Sequence, residues 1–140
     1  MTQAVSLTFL RFDRAFGRAW AFAMMGLARP FMARVPDIGF WKLCGSGTGE
    51  GFTPVPNTAV YAILATWPSL EIAKTRIASD PTYQKYRTKA DESWTVFLRS
   101  TQVRGNWAGT EPFEASAEFP EAQLAALTRA TIKPGILTRF

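Results

Sequence analysis

Apolar and polar residues alternate through Val5-Ser6-Leu7-Thr8-Phe9-Leu10-Arg11-Phe12, and this period of two predicts a strand over residues 4–12. From Asp13 or Arg14 the apolar interval lengthens to three and four, through Phe16, Trp20, Ala23, Met24, Leu27 and Phe31. That spacing predicts an amphipathic helix with the stripe Phe16, Trp20, Met24 and Leu27 in the core. Pro30 should end or kink it, and Pro36-Asp37-Ile38-Gly39 turns into the next strand. Two strands follow, over residues 40–45 and 57–67, the second rich in Val60, Tyr61, Ile63, Leu64 and Trp67. Trp67-Pro68-Ser69 opens a short helix with Leu70, Ala73 and Ile77 on one face. Asp80-Pro81 reads as an N-cap with proline at the first helical position. The helix it opens carries Tyr83, Tyr86 and Ala90 to about Glu92, and Trp94-Thr95-Val96-Phe97-Leu98 is a fourth strand running on toward Trp107.

The order β-α-β-β-α-β over residues 1–107 is an α+β chain built as a ferredoxin-like split unit. Residues 108–122, with Gly109, Pro112, Pro120 and four glutamates, read as a linker. Leu124 to Ile132 reads as a further C-terminal strand, and 123–140 as the start of a second unit whose remainder is absent. The strand over 57–67 adds a constraint: Thr58, Val60, Ala62, Leu64 and Thr66 lie on one face, Ala59, Tyr61, Ile63, Ala65 and Trp67 on the other, and neither face is polar. With both helices on one side, the other face should meet solvent unless something covers it. A second sheet is the natural cover, from a missing second half or from a homodimer, and the result is a dimeric α+β barrel enclosing an apolar cavity.

Between these two strands glycine recurs at every second position, at Gly45, Gly47, Gly49 and Gly51. Each raises the ordering cost by roughly 0.5–1 kcal/mol relative to alanine, so the loop is expected to need bare backbone. It is either a wide hairpin connection or a pocket wall laid against a ligand. A phosphate loop is excluded, because Gly51 is followed by Phe52-Thr53-Pro54-Val55-Pro56, which cannot open a helix.

Composition narrows the chemistry. The 140 residues hold no histidine and one cysteine. Ser-His-Asp and Cys-His nucleophile systems and His-ligated metals are therefore beyond these residues alone. Cys44, on a strand among Phe40, Trp41 and Leu43, is expected as a buried inert thiol. The net charge of +5 is dispersed and permits an anionic surface or redox protein as partner. The apolar run from Ala19 to Ala28 is about half of the roughly 20 residues a membrane span needs. A cytosolic chain is expected, with no nucleic acid as partner: Asn57 to Trp67 lacks the basic and aromatic signature of an RNA-recognition strand.

The runs Trp20-Ala21-Phe22, Gly39-Phe40-Trp41-Lys42-Leu43, Gly45 through Phe52-Thr53-Pro54, and Asn57 through Trp67 together resemble the spheroidene monooxygenase family of carotenoid ketolases. Trp94-Thr95-Val96-Phe97-Leu98 and Leu127-Thr128-Arg129-Ala130-Thr131-Ile132 resemble later blocks of it. The resemblance implies an oxygenase that places a keto group at C-2 of acyclic carotenoids such as spheroidene, with haem, molecular oxygen and reduced ferredoxin. Family members continue beyond the point matching Phe140, so a histidine ligand to haem would lie in the absent part. An apolar carotenoid needs an aromatic-lined groove, and peripheral membrane contact accords with it. Trp41, Phe52, Tyr61 and Trp67 are the aromatic candidates, beside the loop positions Gly45, Gly47, Gly49, Glu50 and Gly51. Lys42 could pair with Glu50, meet a haem propionate or point to solvent, and Arg99, Arg104 and Arg129 are expected on the surface. The rival reading is a cofactor-free α+β barrel that binds or oxidises an apolar small molecule.

Overall fold

The computed structural model describes residues 2–49, 55–116 and 123–129. Its elements are β1 (Ala4–Arg11), α1 (Ala15–Leu27), α2 (Arg29–Met32), β2 (Trp41–Gly47), β3 (Pro56–Trp67), α3 (Leu70–Ser79), α4 (Pro81–Lys89) and β4 (Glu92–Leu98). The sheet runs β2-β3-β1-β4 with every neighbouring pair antiparallel. This is the ferredoxin-like arrangement that the sequence predicts.

Short-range chemistry sets the helix ends. The Ser69 hydroxyl accepts from the Ile72 amide at 3.2 Å, and the Asp80 carboxylate accepts from the Thr82 amide at 2.8 Å and the Tyr83 amide at 3.4 Å. Asp80 also closes α3, its own amide donating to the Arg76 carbonyl at 2.8 Å. One residue thus ends one helix and starts the next. The Arg87 guanidinium then donates to the Ile77 and Ala78 carbonyls, which holds the α3–α4 corner. Pro30 falls in the first turn of α2, where a missing amide is harmless, so the chain bends between α1 and α2 instead of breaking.

The pairing register sorts the strands into two faces. Toward the helices point Ala4, Ser6, Thr8 and Leu10 of β1, Tyr61, Ile63, Ala65 and Trp67 of β3, and Trp41 and Leu43 of β2. They pack with Ala21, Met24, Ala28, Met32, Ala73, Ile77, Tyr83 and Tyr86. Ring contacts lace this layer: Phe12 meets Tyr61 at 6.0 Å, Trp20 meets Tyr86 at 5.4 Å, and Trp67 meets Tyr83 at 6.2 Å between centroids. Buried polar groups pair within it. The Trp67 indole donates to the Ser6 hydroxyl at 2.8 Å, and the Thr8 and Thr95 hydroxyls share a bond at 2.9 Å.

The expected helical stripe is only half right. Trp20 and Met24 pack on the core, but Phe16 and Leu27 are 77% and 64% exposed. α1 is rolled so that Gly17 and Ala21 face inward, with Ala28 buried just past its end; a Cβ added at Gly17 would lie 3.6 Å from the Phe12 ring. Gly17 and Ala21 let the helix approach the layer beneath, Trp20 and Met24 pack beside them, and Phe16, Phe22 and Leu27 turn outward.

Two further expectations are revised. Residues 108–116, the described part of the expected linker 108–122, fold back on the sheet: the Gln3 side chain donates to the Pro112 carbonyl and accepts from the Glu114 amide, both at 2.9 Å. The C-terminal strand expected at 124–132 is not formed over 124–129, which is neither helix nor strand. Residues 130–132 lie outside the described residues. β4 also stops at Leu98 and does not run on to Trp107, which bridges Thr110 in a tight turn.

Candidate functional site

The face of the sheet turned away from the helices is built by Val5, Leu7 and Phe9 of β1, Val60, Ala62 and Leu64 of β3, Val96 and Leu98 of β4, and Lys42 and Cys44 of β2. Lys42 apart, these residues form an apolar wall, as the two-faced pattern of the 57–67 strand predicts. Its two ends differ. At one end Phe40, Trp107 and Phe113 form a three-ring cluster with centroids 5.2–6.4 Å apart, and Val5, Leu64 and Thr66 are buried. At the other end the wall is open. There Phe9 stacks on Trp94 at 5.8 Å, with Trp94 itself 64% exposed. Beyond them Arg11 pairs with Glu92 at 3.2 Å and with Asp13 at 3.4 Å, so a charged rim ends the apolar surface.

Three sequence-derived candidates are elsewhere. Trp41, Tyr61 and Trp67 lie on the helix-covered side, with Tyr61 and Trp67 fully in the core. They correct the expected lining, because in this register odd-numbered positions of β3 point to the helices and even-numbered ones to the open face. Lys42 is on the open side, half-buried, with its ammonium 5.5 Å from the centre of the Phe40 ring. Glu50, Gly51 and Phe52 lie outside the described residues.

The glycine loop has a hairpin's local causes. At Gly45 the register shifts and a Cβ would meet open space, so bare backbone is not required there by packing. Gly47 pairs with Pro56, the Thr48 amide donates to the Val55 carbonyl at 3.1 Å, and Gly49 takes a φ of 73°, a left-handed turn conformation. The tight approach lies earlier in the chain: a Cβ on Gly39 would sit 2.5 Å from the Thr66 hydroxyl oxygen. The sequence reading made Gly39 part of a turn only.

Phe9, Trp94 and the Phe40–Trp107–Phe113 cluster were missed as site residues. The alternation Val5-Ser6-Leu7-Thr8-Phe9 was the available signal, since its larger apolar members all fall on one face. The partnership of Phe9 with Trp94, 85 positions apart in the sequence, depends on register and is not written locally.

Haem iron takes histidine, cysteinate, methionine or tyrosinate as axial ligand. There is no histidine in the sequence, and burial pushes the Cys44 thiol up from its ordinary value, against a weaker opposing pull from the Lys42 ammonium. Its sulfur lies 3.9 Å from the Lys42 carbonyl, as a neutral thiol would. Burial likewise raises Tyr61 and Tyr83 and pushes Tyr86 up to about 12, which holds all three as phenols. No group of three or more His, Cys, Asp or Glu side chains able to hold a metal occurs among the described residues. Met24, Met25 and Met32 pack into the helix–sheet core, so the described residues do not fit a haem.

The sheet order, the single helical layer and the apolar outer wall define a ferredoxin-like α+β protein. Solved structures share this fold: SnoaB, a cofactor-independent oxygenase from Streptomyces nogalater, matches with a TM-score of 0.50 at 15% identity, over 74% of this chain and 97% of that one. A dimeric ferredoxin-like protein of unknown function from Jannaschia sp. matches with a TM-score of 0.50 at 15% identity, over 69% of this chain and 98% of that one. No protein-family model matches the chain.

Sequence relatives are more specific. Spheroidene monooxygenase of Cereibacter sphaeroides is 45% identical over 139 residues, 99% of this chain and 43% of the relative. Spheroidene monooxygenase of Rhodobacter capsulatus is 39% identical over 132 residues, 92% of this chain and 55% of the relative. The chain belongs to the spheroidene monooxygenase family. It spans about half the length of the curated relatives it matches.

Proposed function

We propose that this chain forms half of the substrate chamber of a carotenoid monooxygenase, holding an acyclic polyene such as spheroidene against the open wall of its sheet. The observation that carries the reading is identity of 45% across 99% of the chain to an enzyme named for that reaction. The wall supports it physically. A polyene offers no polar handle and is held by apolar contact and by stacking on rings such as Phe9 and Trp94.

In this reading a second ferredoxin-like layer, from the remainder of the enzyme or from a second copy, closes over the wall. The charged rim of Arg11 and Glu92 marks the mouth. Oxidation of a methylene at C-2 to a ketone consumes two molecules of dioxygen, four electrons and four protons, and releases three waters; reduced ferredoxin is the electron source. The haem implied by the family resemblance would take its axial ligand from outside the described residues. Peripheral contact with a membrane follows from a substrate that partitions into lipid. No helix among the described residues is long and apolar enough to cross one.

Expression of the complete reading frame with spheroidene, followed by pigment analysis, tests the proposal. A 2-keto product is expected, and it should be lost in Phe9→Glu with the fold retained. Absence of any keto product from a folded, haem-supplemented, ferredoxin-coupled enzyme overturns it. A second reading, an oxygenase without haem, is favoured by the donor set described above. It predicts the same product from protein with no absorption in the Soret region.

A further inference from the structure

We infer that the outer face of α1 and α2 is a docking surface for an anionic lipid bilayer. Every exposed residue of α1 except Arg18 is apolar or glycine. Phe16, Phe22 and Leu27 are 77%, 66% and 64% exposed, and Phe31 of α2 continues the surface at 55%. Helices of soluble proteins show one apolar stripe; this one is apolar on both its packed and its free sides. Large apolar side chains exposed along one helical segment mark an interaction site.

Charge selects the occupant. Between Asp13 and Asp37 there is no acidic residue, and the basic residues are Arg14, Arg18, Arg29 and Arg34. All four are exposed; the Arg18 guanidinium turns back to donate to the Phe12 carbonyl at 3.1 Å, which leaves Arg14, Arg29 and Arg34 to reach outward. They flank the phenylalanines at both ends of the segment. Phenyl rings that enter the acyl boundary, ringed by arginines that reach the headgroups on apolar stems, make the pattern of an interfacial helix. Anionic phosphates supply the counter-charge that the segment itself lacks. A second copy of this chain fits poorly, since a two-fold contact through this face would bring eight arginines together with no carboxylate from the segment between them.

The inference deepens the peripheral membrane contact proposed above and rests on it only in naming the face. Its test contains no carotenoid and no turnover, so failure here leaves the oxygenase reading standing, and the reverse holds too. The chain is sedimented with vesicles of phosphatidylcholine alone or mixed with phosphatidylglycerol. Salt-sensitive binding to the mixed vesicles is expected, falling roughly tenfold or more in Phe22→Glu/Phe31→Glu and in Arg29→Gln/Arg34→Gln. Gln84→Glu/Thr88→Glu on α4 should bind as the parent does. Far-ultraviolet circular dichroism establishes that each variant is folded. The inference is overturned by any of three results: no binding to mixed vesicles, equal binding to neutral ones, or undiminished binding by Phe22→Glu/Phe31→Glu. The last, combined with conversion of an oligomer to a monomer, would assign the face to a protein partner instead.

Discussion

The two helical pairs on the covered side of the sheet do the same structural job with opposite outer surfaces. α3 and α4 bury Ala73, Ile77, Tyr83 and Tyr86 and expose Glu71, Lys74, Gln84, Lys85, Thr88 and Lys89, as helices facing water do. α1 and α2 bury Ala21, Met24 and Met32 and expose phenylalanine, leucine, alanine, glycine and proline, with Arg18 and Arg29 the charged exceptions. The fold requires only the inner faces. The apolar outer surface of α1 and α2 is left for the docking proposed above, and the open wall of the sheet for the closing layer proposed above.

The comparison can be broken most severely from beneath. Trp67→Ala removes the fully buried ring that packs on Tyr83 and leaves Ser6 without its indole donor; a loss of about 3–5 kcal/mol is expected in urea denaturation. Phe22→Ala on the outer face, also an aromatic truncation, should change stability by no more than about 0.5 kcal/mol. A loss there comparable to that of Trp67→Ala would mean the outer face contributes to folding after all. The roll of α1 is probed next: Ala21→Leu should overpack the interface and lose about 1–3 kcal/mol, whereas Ala19→Leu on the exposed arc should not. Equal effects at the two sites would contradict the inward orientation of the small residues.

Asp80→Ala sharpens the α3–α4 side alone. Removing a carboxylate that caps α4 through two amides should lower the urea midpoint by an amount equal to about 0.5–2 kcal/mol. The smallest effect at neutral pH concerns Tyr86. Burial pushes its hydroxyl from 10.0 up to about 12, so the folded chain holds the proton more tightly than the unfolded one. Its contribution is complete below pH 10 and is lost as pH rises through about 12. Thermal melts should therefore decline over that alkaline window and less steeply in Tyr86→Phe; identical declines would show that this phenol is not the group responsible.

Much of the fold was legible because its causes are local. The alternation in Val5–Phe12, the Ser69 and Asp80 caps and the proline after Asp80 each act over a few residues, and each appears where the sequence puts it. The site was less legible. Trp67 looked like a pocket aromatic because it is large and sits on a two-faced strand, yet one step of register separates the covered face from the open one. The folding back of 108–116 was invisible for a related reason: its glycines, prolines and glutamates read as a linker, while the Gln3 clamp that holds it spans 109 and 111 positions.

The amino-acid sequence alone determined the order of the elements, the helix ends, the family and the lack of histidine in these 140 residues, since these depend on residue identity and near-neighbour spacing. Tertiary structure decided which side of each strand meets the helices, which way α1 rolls, and that Phe9 and Trp94 stack while Tyr61 and Trp67 are enclosed. Those outcomes depend on distant segments fitting together in space: a helix settles with its smallest side chains where the layers approach most closely, and no local pattern specifies where that will be.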